Sequence, residues 1–216
     1  MKKAFTMIEL VFVLVVIGIL AATIIPRVQT NPLQEAAIQL ISHIRYTQHL
    51  AMVDDKFDTT DSNWYKKRWQ IVFSNAVVPD STVAYTIFAD TATAATSTFS
   101  GDADVSEIAK NPENTLKLLT GGYASAISST HSQVTKKLNL ELSYGVTSVA
   151  LSGGCNQGLR IAFDHLGRPM KGDLSGNNAA YESDNLIQTN CTIKLTDGSK
   201  SVSIIVTPET GYAYIN

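Results

Sequence analysis

Charge is scarce in this chain: 17% of its 216 residues are Asp, Glu, Lys or Arg, against 44% hydrophobic. That balance excludes the solvated ensemble of a disordered chain and leaves enough apolar residues for one globular domain with an appendage. A basic excess is missing as well. The formal net charge is −2, and Lys2 and Lys3 stand at the very start, so the remainder is more acidic still. Bulk nucleic-acid binding, which needs a basic face, is not expected. Cysteine is limited to Cys155 and Cys191, neither in a CxxC pair, which removes the usual zinc frameworks. In an oxidising compartment the two would bridge, closing a loop of roughly 37 residues worth about 4 kcal/mol by chain entropy. Otherwise they are two buried thiols.

Signatures of chemistry are also lacking. There is no HExxH, no P-loop and no glycine-rich turn set between strand and helix. Asp164-His165 has the residue types of an acid–base pair, but neighbours at a strand end point apart and no nucleophile motif accompanies them. They read as turn residues. Asp173, Glu182 and Asp184 have no spacing of a standard calcium loop. The chain is not expected to be an enzyme, and no cofactor or metal is expected.

What the sequence does have is a long apolar run near its start, uncharged from Leu10 to Ile25. As a helix, Phe5 to Pro26 would measure about 33 Å, close to the ~30 Å hydrocarbon core of a bilayer. Lys2 and Lys3 before it and Arg27 after it orient the start toward the cytoplasm. A cleaved secretory signal lacks a clear A-x-A site after the run, a buried core helix is disfavoured by apolar residues on every face, and a plain signal anchor explains the hydrophobicity and nothing else. None of them explains Glu9, since a carboxylate in such a run is costly and is a functional hypothesis by default.

Met1-Lys2-Lys3-Ala4-Phe5-Thr6-Met7-Ile8-Glu9-Leu10 resembles the processing signature of type IV prepilins and type II secretion pseudopilins, in which a short basic leader precedes Gly-Phe-Thr-Leu-Ile-Glu-Leu. Phe5, Thr6, Ile8, Glu9 and Leu10 match directly; Met7 replaces Leu and Ala4 replaces Gly. The resemblance implies that a prepilin peptidase cuts between Ala4 and Phe5 and that the new amine of Phe5 is methylated. It further implies that Glu9 pairs with the terminal amine of a neighbouring subunit during assembly. By spacing alone, Glu9 could instead pair with the amine of its own helix, one turn away. Pro26 either kinks this helix or ends the membrane span. The implied location is the bacterial inner membrane, single-pass, with the N-terminus cytoplasmic and the globular domain periplasmic, and afterwards a pilus or pseudopilus. The implied partners are the peptidase, other pilin or pseudopilin subunits and inner-membrane lipid.

The expected organisation is a leader at 1–4, a transmembrane and filament-core helix at 5–26, an amphipathic helix at 27–53 and an exported β-rich domain at 54–216. Asn31 and Pro32 supply a helix start, and Leu33, Ala36, Ala37, Leu40, Ile41, Ile44 and Ala51 recur at helical spacing. His43 and His49 do not share a face and read as surface or boundary residues. Strands are expected at 69–73, 83–88, 138–142, 146–151, 159–163, 192–195 and 202–207, with 138–142 alternating strictly. Thr91–Ser106 and Asp173–Asn185 read as exposed loops. The fold class is α+β, pilin-like, with a long N-terminal helix packed on antiparallel β-sheets. Arg45 to Met52, Trp69 to Phe73, Ile161 to Asp164 with Gly167-Arg168-Pro169, and Ile204 to Gly211 are similar to the GspH/FimT group of minor pseudopilins and minor pilins. The region Thr91–Gln133 has no counterpart there. A minor structural subunit is therefore the leading expectation, and a DNA-binding or adhesive minor pilin the alternative. The tail from Gly211 to Asn216 lacks Lys and Arg, so DNA capture is the less favoured form, resting on Lys194 and Lys200 beside Tyr212 or Tyr214.

Overall fold

The computed structural model describes residues 6–24, 31–79, 81–92, 98–124, 126–182 and 184–216, except for the side chains of 21–24 and 76. The chain divides into two compact units, Met1–Asn31 and Pro32–Asn216. The first contains one helix, α1 (Met7–Ile24). The second is α+β with antiparallel sheets.

In the second unit α2 (Pro32–Val53) starts at its proline, where a missing N–H costs the helix nothing. Leu33, Ala36, Ala37, Leu40, Ile41, Ile44 and Ala51 are buried as their spacing requires, and Thr47 joins them by returning its hydroxyl to the His43 carbonyl at 2.8 Å. This stripe packs on two four-stranded sheets. One has the order β2-β1-β6-β7, from β1 (Trp69–Val77), β2 (Thr82–Ala89), β6 (Arg160–Phe163) and β7 (Pro169–Lys171). The other has the order β10-β9-β8-β5, from β5 (Ser148–Gly153), β8 (Cys191–Thr196), β9 (Ser201–Val206) and β10 (Ala213–Ile215). One core joins them, with Leu40 and Ile44 from α2, Ile71 and Phe73 from β1, Tyr85 and Ile87 from β2, and Ile193 and Leu195 from β8.

The period-2 pattern is legible where one face is solvated, as in β8, whose residues alternate between buried and more exposed positions. Every position of β2 is buried. Its inner residues meet the main core. Its outer ones, with Val72 of β1, are covered by Ala103, Ile108, Leu118, Tyr123, Ile127 and Val134. The described parts of the region without a counterpart, with Val134 just beyond it, thus form a roof over the first sheet. It contains a small hairpin, β3 (Lys110–Asn111) and β4 (Asn114–Leu118). The expectation of an exposed loop at 91–106 is corrected in part: Gly101 and Ala103 are buried, with Gly101 N–H donating to Asp90 Oδ2 at 2.8 Å.

The strand expected at 138–142 is not formed. A 3-10 turn (Lys136–Leu138) runs into α3 (Leu140–Tyr144). Asn139 caps α3 by accepting the Leu142 N–H at 3.0 Å, and Gly145 ends it at φ 71°, where glycine carries no Cβ penalty. Leu138 and Leu140 are fully buried while Leu142 is 61% exposed, so the alternation had no common face behind it.

His43 is more constrained than its position predicted. Tyr85 is buried beneath it, accepts from Gln39 Nε2 at 3.2 Å and lies 2.6 Å from His43 Nδ1. With Gln39 donating to the phenol oxygen, the phenol proton is free to go to Nδ1, an arrangement open to a neutral ring. Desolvation holds His43 down to about 4 from its ordinary 6.5, with Glu113 pulling weakly upward. Asp90 runs the other way, pushed up to about 6 from 3.8 by burial despite the Gly101 N–H. In the window from about 4 to 6 the unfolded chain binds more protons at His43 and the folded chain more at Asp90. Acidification therefore removes stability through the first and adds it through the second, and the native protein should show a shallow pH profile there. Asp90→Asn should expose a loss on the order of 2 kcal/mol as pH falls, after allowance for the ring's partial exposure. His43→Gln should reverse the slope. Urea midpoints measured from pH 4 to 7 check both signs.

Candidate functional site

The described part of the first unit begins with a reciprocal cap. Thr6 N–H and Thr6 Oγ1 both bond Glu9 Oε2 at 2.8 Å, and Glu9 N–H returns to Thr6 Oγ1 at 3.4 Å. This is a capping box, T-x-x-E, which satisfies otherwise orphaned donors at the start of α1 and fixes where the helix begins. Glu9 is therefore held one turn into the helix, with its carboxylate turned back to the N-terminal end. That end also carries the positive pole of the helix dipole.

Beyond Glu9 the helix is apolar on every face. Each large side chain from Met7 to Leu20 is exposed, with Met7 at 82% and Ile8 at 77%. A run this rich in Val, Ile and Leu favours this conformation only where water is excluded or other helices supply the contacts. The eighteen residues of α1 rise about 27 Å at 1.5 Å each. No helix among the described residues is long and apolar enough to cross a membrane. Ala4, Phe5 and Pro26, the expected cleavage, methylation and kink positions, lie outside the described residues. So do Ile25 and Arg27, which would lengthen and bound the expected span.

The remaining candidates separate cleanly. Cys155 and Cys191 form a disulfide, with Cα atoms 5.0 Å apart. Asp164 is fully buried and organises a turn: its carboxylate accepts from the N–H groups of Leu166 and Arg168, from Arg168 Nε at 2.7 Å and from the Tyr181 hydroxyl at 3.2 Å. His165 lies outside that set. Asp173 caps its own turn through Ser175 N–H and faces Arg160 at 3.5 Å, while Glu182 accepts from Asn178 N–H. No group of three His, Cys, Asp or Glu side chains among the described residues is placed to hold a metal.

The 173–185 loop is pinned more firmly than expected. Leu174, Asn177 and Asn185 are buried, and Arg68 reaches it from below. That guanidinium lies over Tyr181 and Trp64, 4.7 and 5.3 Å from the ring centres, and donates to the Ala180 carbonyl at 2.7 Å. Sequence reasoning missed Arg68; its neighbours Trp64 and Trp69 were the available signal for a buried cation. At the C-terminus Tyr212 and Tyr214 stack 5.8 Å apart, and the cation over Tyr212 is Arg45 of α2, at 5.5 Å, rather than Lys194 or Lys200. Arg45 also donates to the Ala213 carbonyl, so it ties α2 to β10. No family model matches the chain, and neither does any curated protein or solved structure.

Proposed function

We propose that this chain is a structural subunit of a type IV pilus or type II secretion pseudopilus, in the manner of the minor pilins and pseudopilins. In this reading a membrane helix covering 5–26 is cut free at Ala4–Phe5 on the cytoplasmic side of the inner membrane. It is held there by lipid and then by neighbouring helices in the polymer, while the 32–216 unit stands in the periplasm.

The observation that carries the reading is α1: apolar on all faces, its large side chains exposed from Met7 to Leu20, and interrupted by a single carboxylate. Exposed apolar surface on that scale is a contact surface, not a solvated one. The disulfide adds support, since such bridges persist outside the reducing cytoplasm. The buried stripe of α2 adds more, because it gives the second unit a core of its own. An adhesive role through 91–106 or 173–185 has less support, since the described parts of both segments are anchored to the first sheet.

Mass analysis of the native protein tests the reading. A chain that starts at a methylated Phe5 is expected. An intact Met1, or a start after Ala22, would overturn the proposal.

A further inference from the structure

The two main sheets treat their edges unequally. The outer edge of β2 carries bridges to Ile108, Thr120 and Asn139, and that of β7 a bridge to Leu186. At the far end of the second sheet β10 is only three residues long. The strand β5 is six residues long and pairs with β8 alone. Among the described residues, no backbone hydrogen bond outside that ladder reaches Ser148 to Leu151. The ladder continues into a Gly154 N–H bond to the Asn190 carbonyl at 3.0 Å, which sets its phase. Even-numbered residues of β5 therefore bond β8, and the N–H and C=O groups of Val149 and Leu151 point outward.

Natural edge strands are normally guarded by a lysine, a proline, a bulge or a covering loop. This one reads Ser-Val-Ala-Leu-Ser-Gly, with no charge, no proline and an unbroken register. It is also palindromic in kind about Ala150: serine at 148 and 152, branched aliphatic at 149 and 151. Ser148, Ala150 and Ser152 are exposed, and Val149 and Leu151 are half-buried at the rim of the core.

We propose that β5 is a homotypic docking edge, onto which a second copy of this chain adds its own β5 antiparallel and centred on Ala150. In that register Val149 faces Leu151 of the second copy and exchanges both backbone hydrogen bonds with it, twice across the two-fold axis. Both half-buried aliphatic side chains are then covered. Each serine meets a serine, Ala150 meets Ala150, and no charge is brought opposite its like. Any other partner strand would have to supply this alternation; the chain's own strand already has it. A contact this narrow falls short of the ~1,000 Å² of a stable interface, so it acts between copies held close together. In that respect it rests on the proposed assembly through α1, whereas the register is read from β5 alone.

Disulfide trapping with the full-length protein in detergent micelles tests both the partner and the register. Across the proposed pair the two Ala150 Cα atoms are about 4.5 Å apart, as in any non-hydrogen-bonded antiparallel pair, within bridging range. Two copies of Ser148, or of Ser152, are about 14 Å apart at 3.4 Å per residue. Under mild oxidation Ala150→Cys should form a linked dimer at least roughly tenfold faster than Ser148→Cys or Ser152→Cys alone, since bridging needs Cα atoms within about 7 Å. A mixture of Ser148→Cys and Ser152→Cys should link as Ala150→Cys does. Adding Val149→Pro to Ala150→Cys removes one outward N–H and should slow the linking, with the Cys155–Cys191 bond retained as the check on folding. Equal rates at all three positions, or an unlinked Ala150→Cys protein with that native bond intact, would overturn the proposal.

Discussion

Cys155→Ala together with Cys191→Ala is expected to lower the unfolding free energy by about 3–4 kcal/mol, read from urea midpoints at constant m-value. The two residues are 36 positions apart and both fully buried, so loop-closure entropy sets the scale. Such a loss is about a fifth or more of the 5–15 kcal/mol of an ordinary domain. Position adds to length here. The bridge joins the chain just past β5 to the first residue of β8, both in the second sheet. Between these points the chain leaves to contribute β6 and β7 to the first sheet and then returns. The closed loop thus ties the two sheets together. Gly153, at φ 70°, and Gly154 allow the close crossing, for a Cβ on either would lie within 2.3 Å of the Asn190 or Thr189 carbonyl. A double variant within about 1 kcal/mol of the native protein would show that the surrounding packing, not the closed loop, sets stability.

Glu9→Val is expected to abolish incorporation into filaments while leaving membrane insertion intact, scored by fractionation against sheared filaments. Two roles compete for that carboxylate. As a charge, it would offset the terminal cation of an adjoining subunit in a low-dielectric surrounding, where either group alone is costly. As a cap, it accepts from Thr6 and holds the first turn of α1. Glu9→Gln separates them, since glutamine can still close a capping box but carries no charge. If the proposed function is right, the glutamine variant fails as completely as the valine variant. Assembly of the glutamine protein at native level would assign Glu9 to helix initiation alone.

How much was legible depended on whether a residue's role was written in its near neighbours. The stripe of α2 could be read because one helix face has one fate, and β1, β2, β6, β8 and β9 because branched residues cluster between turn signals. Leu138 to Leu142 could not. Asn139 three residues before Leu142, with Gly145 beyond, is a cap and stop, and local capping prevailed over alternation. The roof over the first sheet was illegible for a different reason. Ile108, Leu118, Tyr123, Ile127 and Val134 share no period, and only the outward residues of β1 and β2 bring them together. Lock residues such as His43 and Arg68 depend on partners far along the chain. At the N-terminus the Thr6–Glu9 spacing was itself a capping signature, readable in four residues and overlooked beside the reading of Glu9 as an assembly charge.

The roof has one more consequence. With Phe88 and Val72 under one flap and Ala162 and Met170 under another formed by Leu174 and Leu186, the first sheet is covered on both sides by described residues. The second sheet keeps an outer side of small hydroxyl residues, Ser148, Ser152, Thr192, Thr196, Ser201 and Ser203, around Lys194. The 32–216 unit thus has one sheet covered on both sides and one with a hydroxyl-rich outer side, so a face-to-face contact through a sheet is left to the second.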